Sequence, residues 1–292
     1  MKTNKINGVL YVLAGAISYG ILASIVKYAN ILGIHTSVLT FLQFFIGFIF
    51  LLILNTFLSQ KIPTQATKKS KFKLIIWGLS LGLTTTLYYL SIQYIPVSVG
   101  IILLMQSIWM SIVLEAILQR KMPSQIKIIG AIICLLGTIF ATELFNNQLD
   151  LNWKGMLLGF AAGMSYTLSI YSSSTIEKQY PNYLRSMYLV LGGLILITGF
   201  WNVQIIEHLS VHAIYWGAIL ALFGTILPPL LFTAGIPKTG IGMGSIISSI
   251  EIPVSVLSAY LILQEKISYT QWLGVIIIIS SVILVNIKSS KQ

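Results

Sequence analysis

Ten apolar runs follow one another along the chain, at about 7–28, 36–58, 74–95, 97–118, 126–144, 153–172, 184–201, 213–235, 240–263 and 270–288. Each is near the roughly 20 residues that an α-helix needs to cross a bilayer. Only 9% of the residues are charged and 56% are hydrophobic, whereas a soluble domain carries about 25% charged residues. Such a chain cannot cover its surface with charge. It is therefore an integral membrane protein. In the first run, Ala14 and Ala16 imitate a signal-cleavage site, but the apolar stretch continues to about Tyr28. It is too long for a signal h-region and reads as a span. The expected fold is all-α, with ten transmembrane helices.

The net charge of +11 does not point to nucleic acid, because the lysines sit in short loops between the runs. They report topology instead. With the N-terminus in the cytoplasm, the inner segments hold fifteen of the Lys and Arg residues, the stretch from Lys61 to Lys73 and the pair Lys178 and Arg185 among them. The outer segments keep three: Lys27, Lys154 and Lys266. Both termini are thus expected in the cytoplasm. The lysine-rich loop from Lys61 to Lys73 suits anionic lipid heads. Trp77, Trp153, Trp201, Trp216 and Trp272 fall near span ends, as interfacial anchors do.

The chain repeats itself after five spans. Ile117-Leu118-Gln119-Arg120-Lys121 returns as Ile262-Leu263-Gln264-Glu265-Lys266, and Ser18-Tyr19 as Ser165-Tyr166. The turn at Ile95-Pro96 pairs with one at Ile236-Pro237, since proline biases its predecessor away from helix. The halves divide as 1–146 and 147–292. Five is odd, so the second copy is inverted in the membrane. Inverted repeats mark secondary transporters, whose sites lie near the midplane between the repeats. In the same register Gln106 of span four corresponds to Glu251 of span nine.

Glu251 lies about 16 Å along its span, near the bilayer centre, at 1.5 Å per helical residue. A carboxylate there is a functional-site candidate by default. Read as one helix, span nine places Gly244, Ser248, Glu251, Ser255 and Ser258 on one polar, small-residue face. Two readings stand. The face lets helices approach closely around a protonated Glu251, or it lines a cavity in which Glu251 binds an amine or carries a proton. On span four, Gln106 and Trp109 need partners in hydrocarbon. On span three, two readings stand for Tyr88 and its neighbour Tyr89, reaching a substrate or packing in the core; the mates Tyr19 and Tyr166 are expected to pack at the repeat interface, where they can border the same centre. Glu115 is expected to pair with Arg120 or Lys121 near the inner surface. Gln43 reads as an inter-helix hydrogen bond. Pro228-Pro229 breaks span eight, freeing carbonyls that either coordinate a solute or mark only a kink.

The order Leu222-Phe223-Gly224-Thr225, Ile236-Pro237, Ser249-Ile250-Glu251-Ile252-Pro253-Val254, Leu263-Gln264-Glu265-Lys266 and Trp272-Leu273-Gly274 resembles the second half of EamA-type carriers of the drug/metabolite transporter superfamily. Tyr19-Gly20 and Leu90-Ser91-Ile92-Gln93-Tyr94-Ile95-Pro96 resemble parts of the first half. Ile252 splits the family's Glu-Pro pair, and Arg120 stands where Glu is frequent. The resemblance implies a ten-helix, basket-like carrier with a central cavity, for a cargo such as an amino acid, sugar, nucleotide sugar, polyamine or drug.

No G-x-x-x-x-G-K-[ST] loop and no H-E-x-x-H occurs, so neither ATP-driven pumping nor zinc proteolysis is expected. Cys134 is single, which excludes an intrachain disulfide. His35, His208 and His212 are scattered, and no metal site or cofactor is expected. The function expected is secondary transport of a small polar or amphipathic metabolite by alternating access, with proton or cation coupling through Glu251. The alternatives are a non-transporting structural or sensory subunit and a carrier for drugs, sugars or nucleotide sugars. The partners are a small-molecule substrate and the lipid bilayer, with room for a homodimer. The location expected is a prokaryotic plasma membrane.

Overall fold

The computed structural model of the chain describes residues 2–59, 67–95, 97–142, 152–264 and 266–289. The first half contains α1 (Lys2–Ile31), α2 (Thr36–Ser59), α3 (Lys68–Ser91), α4 (Val97–Met105), α5 (Ser107–Gln119) and α6 (Gln125–Ala141). The second contains α7 (Trp153–Thr175), α8 (Asn182–Trp201), the short α9 (Val203–Glu207) and α10 (Val211–Leu220). A π-helical turn, Ala221–Ile226, then leads into α11 (Leu227–Thr239), α12 (Ile241–Ser248), α13 (Glu251–Leu263) and α14 (Tyr269–Ser289).

Eight stretches of the described residues are long and apolar enough to cross a membrane. The other two expected spans are the shorter apolar α6 and α7, which is rich in serine. Inside a helix bundle a hydroxyl needs a partner, and α7 supplies them. Ser165 Oγ donates to the Ser80 carbonyl at 2.9 Å and Ser169 Oγ to Ser80 Oγ at 2.9 Å. α3 begins six residues earlier than the hydropathy suggests. Thr67 caps it, accepting from the Ser70 amide at 3.1 Å, so Lys68, Lys69, Lys71 and Lys73 belong to its first turns and not to a loop.

The two halves interleave. α3 packs on α7 and α8, and the π-turn with α10 and α11 packs on α1 and α2. Hydrogen bonds reciprocate this exchange. Ser18 Oγ donates to the Phe223 carbonyl at 2.7 Å, and its mate Ser165 donates to Ser80. α6 and α14 pair on one flank, with Ser281 Oγ donating to the Gly130 carbonyl at 2.8 Å.

Three expectations are corrected here. Pro237 does not end its helix; α11 runs through it, and the break falls at Gly240 with φ +90. Pro96 lies outside the described residues. Spans four and nine are each two helices, not one. In span nine, Pro253 removes the amide that the Ser249 carbonyl would accept from and crowds that carbonyl, so the chain turns at Ser249-Ile250. In span four the cause is a side chain. Gln106 Nε2 donates to the Ile102 carbonyl at 3.1 Å, displacing its own amide, which bonds to Leu103.

Candidate functional site

The two breaks lie at pseudo-symmetric places, and Glu251 opens α13 immediately after the second. Its carboxylate stands in the first turn, where the positive end of the helix dipole favours an anion. α1 passes closely. A methyl group on Gly20 would come within 2.6 Å of both the Glu251 carbonyl and the Val254 side chain, so only glycine admits this approach.

Around Glu251 the structure gathers three of the four expected aromatic residues. The Tyr166 hydroxyl donates to Glu251 Oε2 at 3.5 Å, the outer edge of hydrogen-bond range. Tyr19 and Tyr88 lie within Coulombic reach of the carboxylate. The Tyr19 ring stands edge-on to Phe232, centroids 5.6 Å apart, and Tyr88 lies beside Tyr89 at 6.0 Å. Glu251 and Ser255 are half-buried. A carboxylate among tyrosine hydroxyls and helix ends, with apolar walls, can hold an amine or exchange a proton.

Gln106 and Trp109 form a pair of their own, indole Nε1 donating to Gln106 Oε1 at 2.8 Å. Trp109 keeps 40% of its surface exposed on the stripe of α5 that also carries Val113. The single polar face read along span nine is interrupted. Ser258 leaves it to meet α1, its hydroxyl 2.7 Å from Ser24 Oγ. Gln43 packs against Gly224 in the π-turn, and Pro228-Pro229 begins α11 directly after that turn.

The broken helices are arranged asymmetrically. α5 and α12 are packed together, while among the described residues α4 and α13 form no comparable interface. At the packed end Glu115 is buried. It pairs with Lys127 at 2.5 Å, not with Arg120 or Lys121, and its carboxylate covers Gly240 and Gly242 at the start of α12. In the register that aligns Ile117 with Ile262, its counterpart is Tyr260, which is 52% exposed.

Sequence reasoning missed two features. Arg185, counted among the cytoplasmic loop charges, is only 2% exposed. Its guanidinium donates to the carbonyls of Ile176, Thr233, Ser172 and Ser173 at 2.7–3.3 Å. His35 and His208, scattered in sequence, stack with centroids 4.3 Å apart. Trp201, expected at the interface, is buried at 7% exposure. The sequence offers only an arginine between Pro181 and an apolar run and a Pro237 that leaves the Thr233 carbonyl without an amide; that the two meet is decided by how α8 and α11 cross.

A multi-pass helical protein made of two interleaved copies of one unit, with polar groups at paired helix breaks, has the architecture of a membrane carrier. The chain belongs to the EamA-like transporter family, whose family model matches residues 6–142 and 153–287. It is thus a membrane transporter of the drug/metabolite superfamily. A solved structure titled "Crystal structure of protein" is similar over 98% of this chain and 98% of its own, with TM-score 0.77 and 13% identity; that likeness concerns the fold alone. No curated protein matches the chain in sequence.

Proposed function

We propose that the protein is a secondary transporter that moves a small polar or amphipathic metabolite, an amino acid or a related compound, by alternating access. The observation that carries this reading is the pair of broken helices, with Glu251 at the start of the half-helix α13 and Tyr166 bonded to it. Discontinuous helices near the midplane expose half-helix ends to a solute without exposing backbone to lipid. In this reading ten spans form two inverted repeats, 1–146 and 147–292, in a prokaryotic plasma membrane with both termini inside. Glu251, Tyr19, Tyr88, Tyr166, Ser248 and Ser255 border a central cavity, with Gln106 and Trp109 at the mate position, and Glu251 binds the amine or couples a proton.

The asymmetry of the breaks supports a conformational cycle. The packed α5–α12 end is the closed side. The α4–α13 end, where Tyr260 is exposed, is the open side. By pseudo-symmetry the alternate state exchanges the two.

The test is uptake of pooled labelled amino acids and other small metabolites into proteoliposomes, with and without an imposed pH gradient. Uptake driven by the gradient and lost in Glu251→Gln supports the coupled carrier. Uptake indifferent to the gradient leaves a facilitator or exchanger. Absence of uptake from folded protein with every pool overturns the assignment of cargo.

A further inference from the structure

Gln43 of α2 is 4% exposed and reaches the π-turn Ala221–Ile226. A methyl group on Gly224 would collide with the Gln43 amide and crowd Leu22 of α1. The backbone carbonyl of Gln43 accepts from Thr225 Oγ1 at 2.7 Å. The inter-helix bond expected of its side chain is not formed: among the described residues the amide has no partner. A buried amide in that condition bears its whole desolvation cost. It is not sealed off. The unpartnered side-chain atoms without accessible surface are Asn55 Oδ1, Thr86 Oγ1, Ser111 Oγ and Trp201 Nε1, so both amide atoms of Gln43 retain some.

The adjoining backbone is in a similar state. The Leu227 amide bonds to the Leu222 carbonyl, five residues back. Continued, this π-pattern assigns Pro228 to Phe223 and Pro229 to Gly224, whereas an α-pattern assigns Pro228 to Gly224. Proline has no amide, so by either count the Gly224 carbonyl lacks a helical donor. Ser18 Oγ supplies the Phe223 carbonyl at 2.7 Å. No side chain among the described residues supplies Gly224. A donor-acceptor amide and an acceptor carbonyl thus lie side by side, neither bonded to the other.

The pair neighbours the centre at Glu251. One turn of α1 touches both: Ser18 and Leu22 meet the π-turn, and Gly20 between them lies against the Glu251 carbonyl. On α3, Tyr88 lies within reach of Glu251, and the adjacent Tyr89 packs in the same cluster as Leu22 and Phe223. Leu22, Phe223 and Thr225 beside the pair are uncharged, so an ion there would lack a counter-charge in a medium of low dielectric. A neutral group that both donates and accepts would satisfy the pair.

We propose that Gln43 and the Gly224 carbonyl form the second pole of the substrate site, taking a hydroxyl or carboxamide of a solute whose amine is held by Glu251. The proposal rests on the reading of Glu251 as the amine-binding group, and it narrows the cargo to amines that carry a neutral hydrogen-bonding group.

The test uses the full-length protein in nanodiscs, with nitrogen-15 in the glutamine side chains. Gln43→Leu assigns the Gln43 resonance by its loss. The probes are linear amino alcohols of two to six carbons and the alkylamines in which a methyl replaces the hydroxyl. At least one amino alcohol is expected to shift the Gln43 signal saturably. By calorimetry it is expected to bind about tenfold more tightly than its methyl counterpart, the worth of a hydrogen bond whose loss leaves a buried partner unpaired. In Gln43→Leu that difference is expected to vanish, and the variant is expected to melt no lower than wild type, because an unpaired amide has been replaced by an apolar group of similar size. Gln43→Met is the second variant should the branched side chain not fit. Early melting of both variants makes the amide structural and overturns the proposal. So does a preference for the hydroxyl that persists in the variant. A Gln43 signal that exchanges with water and moves with no probe assigns the pair to a bound water, with the same consequence. Alkylamines that bind as tightly as the amino alcohols overturn this proposal alone. Binding by neither series overturns the amine reading of Glu251 and this proposal with it.

Discussion

The Arg185 guanidinium donates from Nη1 to the Thr233 carbonyl at 3.1 Å, four residues before Pro237. Proline has no amide, so that carbonyl loses its helical partner. The buried cation takes the vacant acceptor of α11 and at the same time caps the last turn of α7 through Ser172, Ser173 and Ile176. A charge held by four carbonyls at the junction of α7, α8 and α11 ties three helices with one side chain.

Replacement of Arg185 by alanine leaves the Thr233 carbonyl without its donor and removes the cap on the end of α7, where only Ser172 keeps the Ile176 amide, and is expected to cost about 3 kcal/mol or more. Arg185→Lys restores one point charge but not the planar fork, and recovers only part of the loss. Pro237→Ala returns an amide to Thr233, so Arg185→Ala is expected to cost less in that background. Thermal unfolding in detergent of the single and double variants measures the coupling.

At the centre, Glu251→Gln keeps the shape of the side chain and removes its charge. We expect transport to fall at least about tenfold, the worth of one charge-assisted hydrogen bond, with the melting temperature little changed. Tyr166→Phe keeps the ring and removes the hydroxyl that reaches Glu251 at 3.5 Å, and is expected to reduce uptake about two- to tenfold. Equal damage to folding and uptake in both variants would make the cluster structural.

At the packed end, Glu115 bonds Lys127 and lies against Gly240, whose φ of +90 belongs to glycine alone. Gly240→Ala is expected to destabilise by about 1–3 kcal/mol through backbone strain. Glu115→Gln loosens the contact without strain. With cysteine at the buried position 241 and Cys134 replaced by serine, maleimide labelling is expected to be faster in Glu115→Gln than in its parent. Equal rates would show that the ion pair does not hold this end shut.

The stacked pair His35 and His208 predicts a pH effect. Partial burial, and secondarily repulsion from His208, lower the pKa of His35 below its ordinary 6.5. The folded state thus binds this proton less readily than the unfolded chain. Its contribution is fully present above the ordinary pKa and is lost as pH falls from there through the folded value. Histidine NMR is expected to show a low midpoint for His35 that rises in His208→Ala.

Much of the fold was legible in the order of residues. Apolar runs of span length, the lysine distribution and the return of Ile117-Leu118-Gln119 at Ile262-Leu263-Gln264 are local or periodic signals, and they led to the repeat and to Glu251. The pairing of Gln106 with Glu251 also came from spacing. The interruption of both spans was less legible: Pro253 sits near its break, but the break at Gln106 arises from a side chain competing for the Ile102 carbonyl.

By itself, the sequence determined that this chain lives in a membrane, that it consists of two related halves and that a carboxylate stands near mid-span, because bilayer thickness and helix rise are read along one dimension. Only the tertiary structure decided which groups meet. Tyr166 reaches Glu251, Lys127 and not Arg120 answers Glu115, Arg185 lies inside and His35 finds His208. These contacts depend on how helices distant in sequence cross, and no hydropathy pattern along a single helix records the identity of its neighbour.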